Sequence, residues 1–213
     1  MVSKQLNPTH WSYTQHSPDI SSLQLTLIST TITVINIYNP RDNRPQILIW
    51  PDLLPVLQQI EGEVLLLGDF NVHHPAWGGP SAACEPQADH LWSQTQGLGL
   101  SLLTPCGQST WKRGSQETVI DLTFASPALC QRVERCGPVP EWATTCDHIP
   151  IQIRLDITTY PPAPSRRFAL AKLDTKGLLE AIRRSVAHSS TTYGSTSGRD
   201  SGCTHETLPP SKA

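Results

Sequence analysis

Apolar and polar positions alternate through Leu23-Gln24-Leu25-Thr26-Leu27, the period of a strand with one buried face. Ser29-Thr30-Thr31 then reads as a turn, and the β-branched run Ile32-Thr33-Val34-Ile35-Asn36-Ile37-Tyr38 as a second strand. The two predict an antiparallel hairpin whose ladder stops at Tyr38-Asn39-Pro40, because proline has no amide to donate. Leu53, Leu54, Leu57 and Ile60 recur at helical spacing and predict a helix over Asp52 to Ile60. Pro51 suits its first turn, and Pro55 lies close enough to the start to be tolerated. Val64-Leu65-Leu66-Leu67 is a short apolar run between polar neighbours, as in a strand buried on both faces. Strand, helix and strand in succession mark an α/β layer protein.

Further on, residues 75–86 read as loop, and Ala88, Leu91, Trp92, Thr95 and Leu98 as a helix closed by Gly97 and Gly99. Leu100 to Leu103 predicts a short strand, and Thr118 to Phe124 a strand with Asp121 in its middle. Lys112-Arg113-Gly114-Ser115-Gln116 is a basic, glycine-bearing turn, and Gln152-Ile153-Arg154-Leu155 alternates like a strand. Residues 1–21 are polar and poorly patterned. After Leu155 the pattern changes to the extended linker Tyr160-Pro161-Pro162-Ala163-Pro164. Asp174 then suits the cap of a helix through Leu178, Leu179, Ile182 and Val186. This predicts a domain over 1–156, a linker and helix over 157–187, and a disordered, Ser/Thr/Gly-rich tail over 188–213.

Composition narrows the function classes. The 213 residues allow one domain with a sizeable core plus a tail. A net charge of -2 with only 16% charged residues gives no whole-domain basic footprint, so nucleic-acid binding needs a local basic face. No apolar run approaches the ~20 residues of a membrane span, and no secretory signal is visible at Met1-Val2-Ser3-Lys4-Gln5. The cysteines, Cys84, Cys106, Cys130, Cys136, Cys146 and Cys203, are scattered without a Cys-x-x-Cys pair. That spacing argues against a zinc site or disulfide framework and for reduced, mostly buried thiols inside a cell.

Three polar points interrupt the apolar strands. In Gly68-Asp69-Phe70-Asn71, the carboxylate and carboxamide are two residues apart and share a face if strand geometry persists. Such a pair can hold a divalent cation, take a proton from water or orient a phosphate oxygen. The plainer reading is an Asx turn after a strand. Asp121, inside an apolar strand, needs a partner or an exposed edge. Asp147-His148 sets two titratable groups side by side before a strand, where a carboxylate can hold an imidazole. His73-His74 without a partner cluster is weak evidence for a metal.

Taken together and in order, Gly68-Asp69-Phe70-Asn71, Val119-Ile120-Asp121-Leu122-Thr123-Phe124 and Asp147-His148-Ile149-Pro150-Ile151 resemble the endonuclease/exonuclease/phosphatase superfamily. The continuation His73-His74-Pro75-Ala76-Trp77-Gly78 and the Tyr38-Asn39-Pro40 strand end are similar to the endonuclease domain of non-LTR (LINE-type) retrotransposons. The resemblance covers roughly residues 20–156 and extends weakly to about 186 through Arg167-Phe168, Asp174 and the helix. It implies an α/β fold of two packed, mostly antiparallel or mixed sheets flanked by helices, a four-layer αββα sandwich incomplete at its N-terminus.

The same resemblance implies metal-dependent hydrolysis of phosphodiesters, a DNA endonuclease using Mg2+ or Mn2+ and no small-molecule cofactor. It implies catalytic roles for Tyr38, Asp69, Asn71, Asp121 and His148, metal binding by Asp69 and Asp147, and nucleic-acid contacts from His73, Trp111, Lys112 and Arg113. Asp69 would activate water, Asn71 orient it, Tyr38 contact phosphate, and His148, held by Asp121, stabilise the developing charge. DNA as substrate implies an intracellular, nuclear setting. The chain departs from the family at two points. Cys146 stands where Ser is usual, and the family's N-terminal Asn and metal-binding Glu have no counterpart, Glu61, Glu63 and Glu85 lying elsewhere in the order. The alternative is therefore a retrotransposon-derived fragment with little catalysis and residual nucleic-acid binding.

Overall fold

The computed structural model describes residues 2–3, 6–41, 49–143 and 145–161, with positions 174, 176, 177, 179, 180 and 183 beyond them. The chain divides into two units, Met1–Pro164 and Ser165–Ala213. In the first, β1 (Trp11–Ser17), β2 (Ile20–Thr26), β3 (Thr31–Tyr38), β4 (Glu63–Asp69), β5 (Ser101–Leu102) and β8 (Asp121–Ala125) form one six-stranded sheet in the order β1-β2-β3-β4-β8-β5. β3 and β4 run parallel and the other neighbours antiparallel, so the sheet is mixed. The parallel pair needs a crossover, and α1 (Trp50–Gln58) lies within that connection.

Both faces of the sheet carry apolar side chains, but they are covered differently. Ile35, Ile37, Val64, Leu66, Leu122 and Phe124 pack on one face with Leu53 and Leu57 of α1, Leu91 of α3 (Pro86–Gly97) and Trp77 of the short α2 (Pro75–Gly78). Leu27, Ile32, Leu65 and Ala125 pack on the other with Leu129 of α4 (Pro127–Cys130). Ile153 and Leu155 close over this second cluster. They belong to a two-stranded antiparallel sheet of β9 (Val133–Pro138) and β10 (Ile151–Leu155). Val64, Leu65 and Leu66 are all buried, which explains the unbroken apolar run in β4. Burying each such side chain stabilises the fold by about 1.5–3 kcal/mol.

Gly68 fits the one place in β4 where a side chain has no room. Its φ is +143°, and a Cβ there would lie 2.0 Å from the carbonyl oxygen of Ile37 on β3. Absence of Cβ therefore lets the end of β4 approach its parallel neighbour. The basic turn is a hairpin of β6 (Trp111–Arg113) and β7 (Gln116–Thr118), with Gly114 supplying the positive φ (+61°) of its tight turn.

Several expectations are corrected. The poorly patterned N-terminus contains the edge strand β1, whose residues from Ser12 to His16 are all exposed, so no apolar alternation marks it. The loop at 75–86 contains α2, begun by the His74 ring accepting the Ala76 amide with Pro75 in the first turn. Asp121 is the first residue of β8, not its middle. The amides of Ile120 and Asp121 both donate to the Thr110 hydroxyl at 3.0 Å, which takes the place of a ladder partner there. The thiols are not mostly buried: Cys84, Cys106 and Cys146 are exposed, Cys130 and Cys136 half-buried, and all five are free. Beyond the first unit, the Asp174 carboxylate accepts the Gly177 amide at 3.1 Å, the bond of a helix cap. The expected tail at 188–213 and Leu178, Ile182 and Val186 lie outside the described residues.

Candidate active site

Strand register brings three side chains into one row. Tyr38 on β3 pairs with Asp69 on β4, and Asp69 pairs with Asp121 on β8. The Asn39 amide donates to the Asp69 carbonyl, its buried carboxamide donates to the Phe70 carbonyl, and the Phe70 amide donates to the Ile120 carbonyl. These bonds hold the Gly68–Asn71 turn between its two neighbours. Asn71 takes a left-handed φ of 52°, a conformation asparagine tolerates better than most residues. In it, the Asn71 amide donates to Asp69 Oδ1 (3.1 Å) and Nδ2 donates to Asp69 Oδ2 (3.0 Å) and to the Asn39 carbonyl (3.0 Å). Turn chemistry and site chemistry therefore coincide in this pair.

His148 reaches the row from the segment before β10, bridged to Trp111. Its Nδ1 lies 3.0 and 3.1 Å from the two oxygens of Asp121. Asp121 thus has the partner that its place in an apolar strand demands, and the bond fixes the imidazole tautomer. Nε2 is then the nitrogen turned towards Asp69, 3.8 Å from Oδ2 and beyond hydrogen-bond range. Burial pushes the Asp69 carboxyl above its ordinary range. The charge of Asp121 adds to the rise, while His148 and the Asn71 bonds oppose it.

Ligand atoms of Asp69, Asp121 and His148 all lie within 4.8 Å of one another, and all three residues are half-buried. Two carboxylates sharing a site, one raised partly by the other, are a donor set that suits a hard divalent cation, so the residues present fit such an ion. Asp147 is outside this group. Its carboxylate accepts from the Arg113 guanidinium at 2.6 Å, and that bond is the main cause holding its carboxyl below the usual range. Arg113 also lies over the Trp111 ring, 5.6 Å from its centre, and Lys112 is 3.8 Å from Glu117. Tyr38 is exposed at the end of β3. Glu63 accepts from the Ser126 hydroxyl and Glu85 holds His73, so neither reaches the Asp69 group.

His74, Cys84 and Asp89 also cluster within 4.8 Å, but their hydrogen bonds argue against a metal. His74 Nδ1 accepts from the Ala76 amide, so in the neutral ring Nε2 carries the proton and faces Asp89 at 3.3 Å. Desolvation and the Asp89 charge push the Cys84 thiol up, away from the thiolate a metal requires.

Sequence reasoning missed Thr110, whose buried hydroxyl sets the start of β8, because a threonine in a loop carries no spacing signal. Asn39 stood in the Tyr38-Asn39-Pro40 strand end, but its tie to the turn was not read from it. Sequence reasoning also missed Arg41, which with Asn71, His73, Trp111 and His148 lines a cavity of about 690 Å³. Across His148 lies an apolar cavity of about 410 Å³ between the two sheets, lined by Leu67, Leu122, Ile151, Ile153, Trp142 and Cys146. No helix among the described residues is long and apolar enough to cross a membrane.

The mixed six-stranded sheet, the smaller sheets and the flanking helices are those of an endonuclease/exonuclease/phosphatase nuclease, a fold of phosphodiester hydrolysis. Within that class, residues 32–152 match the endonuclease-reverse transcriptase family, and the chain belongs to it. The endonuclease domain of TRAS1, a telomere-specific non-LTR retrotransposon, superposes with a TM-score of 0.57 at 17% identity, covering 69% of this chain and 69% of that one. AP endonuclease LMAP from Leishmania major superposes with a TM-score of 0.53 at 17% identity, covering 69% of this chain and 56% of the other. At such identities the likeness is one of fold. No curated protein matches the chain in sequence.

Proposed function

We propose that this chain is a DNA endonuclease of retrotransposon origin that hydrolyses phosphodiesters with the help of a divalent cation. The observation that carries the reading is the row Tyr38, Asp69 and Asp121 with His148 held at its edge by Asp121. Hydrolysis needs a water brought in line and deprotonated, and a donor at the oxygen where charge develops. Asp69 is suited to take the water's proton because its carboxyl is already raised by burial. Asn71 Nδ2, bonded to Asp69, keeps that carboxylate aimed. His148, with Nδ1 given to Asp121, has Nε2 free to donate to a phosphate oxygen once the ring is protonated. The exposed Tyr38 hydroxyl and the Trp111–Arg113 hairpin are suited to contact the strand. Asp69 and Asp121 would hold the cation, Mg2+ or Mn2+, which supplies charge neutralisation at the phosphate when bound. Asp147 would join them only after leaving Arg113. A DNA substrate calls for residence where DNA is, inside the cell and in a nucleus where there is one.

The direct test is nicking of supercoiled plasmid with Mg2+. Wild-type chain is expected to nick, and Asp69→Ala and His148→Ala each to slow nicking by about 10²–10⁴-fold. A folded sample that leaves the plasmid intact in Mg2+ and in Mn2+ sinks the reading. One observation favours the second reading, nucleic-acid binding with little turnover: among the described residues the metal-ligating types that converge at this site are Asp69, Asp121 and His148, and the neighbouring Asp147 is engaged by Arg113.

A further inference from the structure

Two polar cavities meet at His73. The first, about 690 Å³, also contains Asn71, Trp111 and His148; the second, about 320 Å³, contains Gly78, Ser81, Gly107 and Ser109. Glu85, from the residue that precedes α3, grips His73 on three sides. Its Oε2 accepts the His73 amide at 3.1 Å, its Oε1 lies 3.1 Å from His73 Nδ1, and its own amide donates to the His73 carbonyl at 3.1 Å. The His73 side chain is only about a quarter exposed, so this grip fixes the ring and leaves Nε2 as its unengaged nitrogen. Glu117 also lines both cavities, and its charge is offset by Lys112 at 3.8 Å.

A nucleic-acid strand whose reacting phosphate lies at Asp69 and His148 must continue past its neighbouring phosphates. We propose that His73, positioned by Glu85, donates Nε2 to the phosphate next to the one hydrolysed, and that the cavity with Ser81 and Ser109 receives the nucleotide beyond it. This rests on the reading of the site as a phosphodiesterase acting on a nucleic-acid strand. In the bound state both ring nitrogens donate, Nδ1 to Glu85 and Nε2 to phosphate, as an imidazolium does. Ser81, Ser109, Thr118 and the glycines of the second cavity suit a sugar and phosphate and carry no base-specific pattern. Glu85, out of reach of the Asp69 group, thereby has a positioning role through His73.

The test is binding of a fluorescein-labelled DNA oligonucleotide by anisotropy, with EDTA present so that no turnover is needed, at about pH 6, where histidine is largely charged. His73→Asn keeps a donor for Glu85 but removes Nε2, whereas His73→Gln keeps a donor near the Nε2 position. His73→Asn is expected to bind about tenfold more weakly, with the slope of log affinity against log salt reduced by about 0.7–0.9, the value of one phosphate contact. His73→Gln, being neutral, is expected to lose the same slope but to bind more tightly than His73→Asn, because its carboxamide still donates to the phosphate. Glu85→Ala is expected to match His73→Asn, with no further loss in the double variant. A single methylphosphonate placed along the oligonucleotide is expected to cancel the His73→Asn effect at one position only. Equal binding and equal salt slopes for wild type and His73→Asn overturn the proposal, as does equal loss of affinity in His73→Asn and His73→Gln. Those results leave the phosphodiesterase reading standing, because plasmid nicking judges it separately. A wild-type chain that nicks nothing and binds no oligonucleotide overturns both.

Discussion

Asp69 is a site carboxyl held above its ordinary range. Its carboxyl is raised, first by burial and then by Asp121, so the native state holds a proton more tightly than the unfolded chain does. Stability therefore falls as pH rises from the unfolded value, about 3.9, through the higher folded value, and stays lower above it. Asp69→Asn removes that term while leaving an acceptor for the Asn71 amide. The expected outcome is a higher Tm than wild type at pH 7 and a gap that closes at low pH, measured by calorimetry. Mg2+ should raise the wild-type Tm, since any ligand of the native state does, and should do little for Asp69→Asn. An Asp69→Asn variant less stable than wild type at pH 7 would contradict this account. At this scale the sequence was legible where chemistry is written in residue type: Asn71 is bonded to Asp69 and His148 to Asp121, and the ligand atoms of Asp69, Asp121 and His148 lie within 4.8 Å of one another. Thr110 was not legible, because a hydroxyl that replaces a ladder partner depends on which loop passes the strand, a long-range fact.

Strands and helices were read well where one face is buried and poorly where none is. β2 was found by alternation and β3 by its β-branched run, and β3 reaches Tyr38 as expected. α1 begins two residues earlier than the leucine pattern, because Trp50 is itself buried in the core that the pattern samples. β1 left no trace because an exposed edge strand has no apolar face to report. β4 was read as a buried run that stops at Leu67. In the structure Gly68 lies within the strand, and the reason for a glycine there is the Ile37 carbonyl 2.0 Å from where a Cβ would stand. Gly68→Ala must push β4 from β3 at the level of Tyr38 and Asp69, and alanine also strains at a φ of +143°. The expected cost is about 2–4 kcal/mol in urea unfolding, with loss of nicking beyond what lowered stability explains. Substitution without effect on either would mean that the close approach of the two strands is not needed.

Among the described residues, the core and the candidate site lie within Met1–Pro164. The last contributor to either buried cluster among the described residues is Ile157, and every numbered strand and helix lies before that boundary. The net charge of -2 gave no hint of a nucleic-acid partner, and the hairpin cations explain why: Arg113 is matched by Asp147 and Lys112 by Glu117, so the basic face is local and largely neutralised. The resemblance supplied the architecture, because parallel pairing of β3 with β4 is a long-range feature that periodicity alone does not specify. A chain ending at Pro164 keeps every core residue found among the described residues. It is expected to unfold in one transition with a Tm within about 2 °C of the full chain, less than the shift that 1 kcal/mol produces in a domain of this size. Its plasmid nicking should match that of the full chain, since Tyr38, Asp69, Asn71, Asp121 and His148 are all retained. A fall of more than about 4 °C, or above 1 kcal/mol, would mean that residues 165–213 contribute to the stability of the first unit. Loss of nicking at unchanged Tm would instead give that segment a part in holding the DNA.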